Sequence, residues 1–228
     1  MNHERDLISR LNEGSVICAE GYLFELERRG YLSAGAYVPE VVLDHPEVVT
    51  QLHRDFVHAG SDVVEAFTYY AHREKLRQIG KEDLLEPLNR QALQIAKEVS
   101  KTTNTLLAGN ICNTNTYIEG DKESSKFVRT MYDEQIGWAI DSGVDYIIAE
   151  TIDFVGEAKI ALEAIKETKL PAVVTLAIHR TGVTRDHFSP ENACKQLEDA
   201  GADVVGLNCT RGPETMLPLL KPICEALT

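Results

Sequence analysis

Three times this chain repeats one short pattern: His58-Ala59-Gly60-Ser61-Asp62, Asp141-Ser142-Gly143-Val144-Asp145 and Asp199-Ala200-Gly201-Ala202-Asp203. Each follows an amphipathic stretch and precedes a run rich in apolar, β-branched residues. A glycine just past a helix takes the left-handed conformation that closes the helix, and the chain re-enters a strand two residues later. Strands joined through helices are parallel, because a parallel pair needs a long crossover where an antiparallel pair needs only a turn. The repeated device therefore predicts an α/β fold built from successive βα units.

Hydrophobic periodicity fills in the rest. Strands are predicted at Val16 to Ala19, Asp62 to Thr68, Leu106 to Ile111, Asp145 to Glu150, Ala172 to Ile178 and Asp203 to Cys209, several apolar on both faces as buried parallel strands are. Helices are predicted at Leu23 to Arg29, Pro46 to Ala59, Glu86 to Ser100, Ser124 to Asp141, Val155 to Thr168, Pro190 to Ala200 and Glu214 to Ala226. No Pro/Gly/Ser-rich linker interrupts the series, so residues 1–228 read as one domain. Such a series fits an open doubly wound sheet or a closed (βα)8 TIM-type barrel. The phosphate-binding signatures of the first, GxGxxG and GxxxxGK[ST], are absent. A barrel is expected, with about six of its eight βα units in this chain, since a full barrel takes roughly 250 residues.

Composition narrows the function classes. The formal charge is −13, from 36 acidic against 23 basic residues, which argues against a nucleic-acid backbone or an anionic membrane as partner. Residues Met1 to Asp6 are polar and lack the apolar core of a secretory signal, so a cytoplasmic location is expected. Five widely spaced cysteines (Cys18, Cys112, Cys194, Cys209 and Cys224) with no CxxC pair do not form a disulfide framework.

Parallel α/β folds gather functional residues at the C-terminal ends of their strands. Those ends are polar here: Glu20-Gly21-Tyr22, Thr68-Tyr69-Tyr70, Asn110 to Asn115, Glu150-Thr151, His179-Arg180 and Asn208-Cys209-Thr210. Cys209 offers a thiolate to a metal ion, although a cysteine in such a place is often only a small buried apolar group. Glu150 ends an apolar strand and is suited to a substrate ammonium or to a salt bridge. Tyr37, Tyr69 and Tyr70 make either core packing or an aromatic wall for a methylated ammonium or sulfonium group. Asn110, Asn113 and Asn115 supply amides, or are simply loop residues. His53, His58 and His72 lack a paired metal-binding spacing and read as helix surface or satisfied packing, while His179-Arg180 serves substrate contact or structure.

At these residues the chain resembles the homocysteine S-methyltransferase family, most of all its betaine-homocysteine branch. The segments are Leu11 to Gly14, Phe24 to Tyr31, His45 to Glu47, Leu52 to Phe56, Phe67 to Ala71, Ile148 to Glu150 and Gly206 to Cys209. The resemblance implies a (βα)8 barrel whose catalytic Zn(2+) is held by three cysteine thiolates, with homocysteine joining as a thiolate and receiving a methyl group to give methionine. It makes Cys209 the first zinc ligand, Glu150 the carboxylate that engages homocysteine, and Tyr37 and Tyr70 neighbours of the methyl donor. Glu20, Gly21 and Asn110 complete the expected substrate site, and a homo-oligomer is compatible with this reading.

Three departures stand out. The first strand of the family commonly ends Asp-Gly-Gly, where this chain has Ala19-Glu20-Gly21, and the one-place shift turns the carboxylate toward the other face. Tyr37 stands where betaine enzymes carry tryptophan, so donor choice is open. The paired-cysteine segment that completes the family's zinc site is missing from these residues, which suggests a C-terminally truncated form. The expected function is zinc-dependent methyl transfer from betaine or a related onium donor to homocysteine; the alternatives are a non-catalytic isoform and a metal-free barrel enzyme using Glu150 and His179 as acid and base.

Overall fold

The computed structural model describes residues 6–19, 21–32 and 38–227. In chain order the elements are α1 (Leu7–Glu13), α2 (Tyr22–Arg28), α3 (Val41–Asp44), α4 (Pro46–His58), β1 (Val63–Glu65), α5 (Arg73–Gln78), a 3-10 turn (Glu82–Leu84) and α6 (Leu85–Thr103). Then follow β2 (Leu106–Cys112), α7 (Lys122–Ser142), β3 (Tyr146–Ile152), α8 (Val155–Lys166), β4 (Ala172–Leu176), α9 (Pro190–Asp199), β5 (Val204–Leu207) and α10 (Pro213–Ala226). All seven predicted helices are present within three residues of their expected ends. The helices that periodicity missed, α1, α3 and α5, are two turns or shorter, too brief for a 3.6-residue pattern to register.

The five strands are parallel and lie in the order β1-β2-β3-β4-β5. Doubly wound sheets reverse their strand order at a switch point; here each strand lies beside the next in sequence, the progression of a (βα)8-type barrel. Pairing runs Val63 with Leu106 through Glu65 with Ala108, and Val173 with Val204 through Leu176 with Leu207.

The Gly-x-Asp pattern both ends helices and sets strand register. Gly60, Gly143 and Gly201 all have positive φ, at 110°, 75° and 93°. Each following aspartate then brackets one residue of the neighbouring segment. The Asp145 backbone N–H donates to the Leu107 carbonyl at 2.8 Å, and its carboxylate accepts from the Leu107 N–H at 2.7 Å. Asp203 grips Ala172 in the same way at 3.0 and 2.8 Å, and Asp62 grips Ile17 at 2.7 and 2.8 Å. A one-residue slip would break both bonds and reverse every side chain in the strand, so these carboxylates specify register.

Two strand expectations are corrected. The predicted strand at Val16 to Ala19 is a single parallel bridge between Cys18 and Val63. Its backbone donors go to side chains instead of a ladder: Ile17 N–H to the Asp62 carboxylate and Ala19 N–H to the Ser61 hydroxyl. β1 also stops at Glu65 rather than Thr68, because the Thr68 N–H turns back to the Ala66 carbonyl at 2.8 Å while its hydroxyl bonds the Asn110 carbonyl at 2.8 Å.

The chain forms two compact units, Met1–Asn110 with Glu134–Ile147, and Ile111–Asp133 with Ile148–Thr228. In the first, Val49 and Leu52 of α4 and Leu88, Ala92 and Ile95 of α6 enter one core with Leu26, Val41, Val42, Phe67 and Leu76. Burying each large aliphatic side chain contributes about 1.5–3 kcal/mol, more than the short helices gain from propensity. In the second unit, α8 buries Ala158, Ala161, Leu162, Ala164 and Ile165, and its small residues allow close packing on β4. β5, last in the sheet order, is only half-buried along its length. Among the described residues no helix is long and apolar enough to cross a membrane.

Candidate functional site

In the second unit the polar groups converge at the ends of β3 and β5. Glu150 follows the apolar run Tyr146 to Ala149 in β3 and is buried, and its Oε2 accepts from the Asn208 side-chain amide at 2.9 Å and the Thr151 hydroxyl at 3.3 Å. Asn208 is the hub. Its Nδ2 also donates to Thr151 Oγ1 at 2.8 Å, and its Oδ1 accepts from the Thr151 N–H at 2.8 Å and the Thr175 hydroxyl at 3.0 Å. Thr151 thereby holds a φ of 57°, an unusual conformation for a β-branched residue. Cys209, next to the hub, is exposed with a φ of 58°, followed by Thr210 at 55°. Strained non-glycine backbone at strand ends is characteristic of sites that hold side chains in fixed directions.

The loop after β5 is tied to the end of β4. Arg211 donates to the carbonyls of Ile178 and His179, and the Thr210 hydroxyl reaches the Ile178 carbonyl at 3.1 Å. The His179 ring meets Asp153 at 2.7 Å, and Asp153 also pairs with Arg185 at 3.2 Å. Behind these, Glu157 is buried, and one oxygen accepts from the Thr114 N–H at 2.8 Å, the Thr114 hydroxyl at 2.6 Å and the Tyr132 hydroxyl at 3.2 Å. Burial raises its pKa above the ordinary carboxyl range against the pull of these donors. Asn113 donates to the Thr151 carbonyl at 2.6 Å. The asparagine run after β2 is thus partly buried framework rather than open loop.

In the first unit Gly21, at φ 95°, caps the N-terminus of α2, a conformation that favours glycine. Asn110 is buried, and its amide donates to Glu65, whose other oxygen lies 3.4 Å from the Cys18 thiol. The Tyr69 and Tyr70 rings are tilted by 37° with their centroids 4.3 Å apart, and Tyr70 has a φ of 57°. His53 and His72 are buried rather than on a helix surface; His58 is exposed. Nδ1 of His53 meets the Tyr22 hydroxyl at 3.1 Å, and burial pushes its pKa down to about 3, so the ring stays neutral.

The structure brings together Glu150 and the segment carrying Cys209, through Asn208, while Gly21, Tyr70 and Asn110 belong to the first unit. Glu20 and Tyr37 lie outside the described residues. All five cysteines are thiols, and burial pushes Cys194 up to about 12. Among the described residues no group of three or more His, Cys, Asp or Glu side chains is placed to hold a metal ion. Cys209 therefore offers one thiolate, and these residues do not by themselves fit a zinc site. Sequence reasoning named Asn208 only as one of the polar strand-end residues and did not single out Asp153 or Glu65, whose hydrogen bonds tie His179 and Asn110. The side-chain partners of Asn208 lie 33, 57 and 58 residues away.

The sequence model of the family described as homocysteine S-methyltransferase matches residues 17–228. The chain belongs to the homocysteine S-methyltransferase family. It is 36% identical over 225 residues to the S-methylmethionine–homocysteine S-methyltransferase of Pongo abelii, covering 98% of this chain and 60% of that protein. It is 36% identical over 229 residues to betaine–homocysteine S-methyltransferase 1 of Rattus norvegicus, covering 98% of this chain and 56% of the relative. The chain thus spans little more than half the length of these curated relatives. Among solved structures, the apo form of the homocysteine methyltransferase MmuM from Escherichia coli matches with a TM-score of 0.74 at 18% identity, over 100% of this chain and 82% of that one. At that identity the likeness concerns the fold.

Proposed function

We propose that this chain carries the acceptor site of a homocysteine S-methyltransferase, in which the thiol of homocysteine takes a methyl group from a methylated ammonium or sulfonium donor and becomes methionine. The observation that carries the proposal is the Glu150–Asn208–Thr151 network beside Cys209. A carboxylate at a strand end, oriented in part by the Asn208 amide and the Thr151 hydroxyl, is suited to a substrate ammonium, and a rigid strand end sets that ammonium at one distance from the sulfur. The homocysteine thiol loses its proton before attack. Its sulfur lone pair then forms the new S–C bond as the donor's C–N or C–S bond breaks, releasing a neutral amine or sulfide.

Betaine and S-methylmethionine, named in the relatives, are the first donors to consider, with Tyr70 as an aromatic face for their positive centres. Gly21, Asn110, Glu20 and Tyr37 join the proposed substrate site. Zinc enters through Cys209 alone, and the other two thiolates implied by the resemblance would have to come from outside the described residues. The test supplies homocysteine with methyl-deuterated betaine or S-methylmethionine and follows methionine by mass spectrometry for the native protein and Cys209→Ala. Labelled methionine from the native protein, with less from the variant, supports the reading. No label from either donor defeats it.

A further inference from the structure

The proposed transfer begins with a proton leaving the homocysteine thiol, and one group at this end of the sheet is arranged to take it. His179 follows β4, which lies between β3 and β5, so in the row of strand ends it stands between Glu150 and Cys209. Thr210 and Arg211, the two residues after Cys209, bond the carbonyls of Ile178 and His179 and hold the two loops together. Nε2 of His179 lies 2.7 Å from an oxygen of the buried Asp153. A carboxylate only accepts, so this contact assigns the ring hydrogen to Nε2 and leaves the lone pair on Nδ1. Nδ1 makes no hydrogen bond within the described residues, and the side chain is 41% exposed, enough to pass a proton on to water. The other charged groups around the ring are Arg185, on the second oxygen of Asp153 at 3.2 Å, Asp186, whose carboxylate caps α8, Arg180 next in the chain, and Arg211. An imidazole oriented through one nitrogen by a buried carboxylate, with its other nitrogen open, has the arrangement of a general base.

We infer that His179, held by Asp153, is the base that accepts the homocysteine thiol proton in the proposed transfer. The inference rests on the acceptor-site reading. The S–H bond breaks as the Nδ1–H bond forms, and its electron pair stays on sulfur for the attack on the methyl carbon. The imidazolium so formed is stabilised by the Asp153 carboxylate and returns its proton to water after the methyl group has moved. Glu150 is thereby left to the substrate ammonium, and the two carboxylates at the end of β3 serve different ends: Glu150 faces the substrate's charge and Asp153 fixes the tautomer of the base.

The test is single-turnover methyl transfer to homocysteine from methyl-deuterated betaine or S-methylmethionine, from about pH 6 to 9, with the native protein, His179→Ala and His179→Gln. Both variants should be slower by about 100-fold or more near neutral pH, the scale of a lost general base. The glutamine amide can keep the hydrogen bond to Asp153 but cannot take a proton, so a base predicts that His179→Gln is no faster than His179→Ala, whereas a structural role predicts its rescue. Imidazole added to His179→Ala should restore the rate in proportion to its free-base concentration, and the deficit of both variants should shrink as rising pH ionises the thiol unaided. A His179→Gln protein as fast as the native one, or a His179→Ala protein indifferent to imidazole, overturns the role of His179 and leaves the acceptor site standing. If the native protein transfers no methyl group from either donor, the acceptor reading itself fails and this inference falls with it.

Discussion

Asn208 is the residue on which this account places the most weight, and replacing it has consequences that can be worked out in advance. Asn208→Ala removes four hydrogen bonds, two to Thr151, one to Glu150 and one to Thr175. Water can satisfy part of what is lost, since Asn208 is half-buried, but Thr151 is 6% exposed and its N–H would be left without its acceptor. A buried donor so stranded costs about 1–3 kcal/mol, and about 2 kcal/mol is a fair figure for the whole substitution. In a chain of this size that lowers Tm by about 4–8 °C. Asn208→Asp keeps the shape and the acceptor but turns the amide toward Glu150 into a second carboxylate. At about 3 Å and an effective dielectric of about 20 the repulsion is on the order of 5 kcal/mol, which the pair relieves by holding a proton. The native state then binds that proton more tightly than the unfolded chain, so stability is full below the ordinary carboxyl pKa and falls as pH rises through the raised folded value. Urea unfolding from pH 4 to 8, compared among the three proteins, reads both effects. An Asn208→Ala protein as stable as the native one, together with an Asn208→Asp protein showing no added pH slope, would refute the hub assignment.

Other expectations follow from the same contacts. Tyr70→Ala should raise the KM for the methyl donor by about tenfold and that for homocysteine by much less, as loss of a desolvated cation–π face would; equal rises in steady-state assays would count against the aromatic wall. Asp203→Ala should cost about 1–2 kcal/mol in denaturant unfolding by freeing the Ala172 N–H, whereas Asp203→Asn, which keeps an acceptor, should cost less. Glu157, its pKa raised by burial, contributes stability that is present below the unfolded carboxyl pKa and is lost as pH rises through the folded value. Glu157→Gln should flatten that part of the stability curve, because an amide oxygen can keep the contacts to Thr114 and Tyr132; an unchanged slope would contradict it.

Much of the architecture was legible because it is written locally. The glycines at 60, 143 and 201 and the aspartates two places on announce helix end and strand start within five residues, and the structure adds only that the aspartates also lock register. Glu150 and Cys209 were legible for a related reason: each ends an apolar run, and parallel strands present their ends to a common side. What stayed hidden depends on partners distant in sequence. Ile17 and Ala19 look like strand residues, yet Asp62 and Ser61 satisfy their donors from a loop. The pairing of His179 with Asp153 spans 26 residues of separation and has no spacing signature. The double use of the Asn208 amide could not be told from an ordinary loop asparagine until Thr151 and Glu150 were in place.

The most direct test of the central claim is calorimetric titration of homocysteine into the native protein and into Glu150→Gln, which keeps the side chain's size and removes its charge. The account predicts binding to the native protein and a loss of about tenfold or more in the variant, the worth of one hydrogen bond to a charged group. Equal affinity for the two proteins would mean that Glu150 does not hold the amino group of homocysteine, and the proposed acceptor site would have to be abandoned.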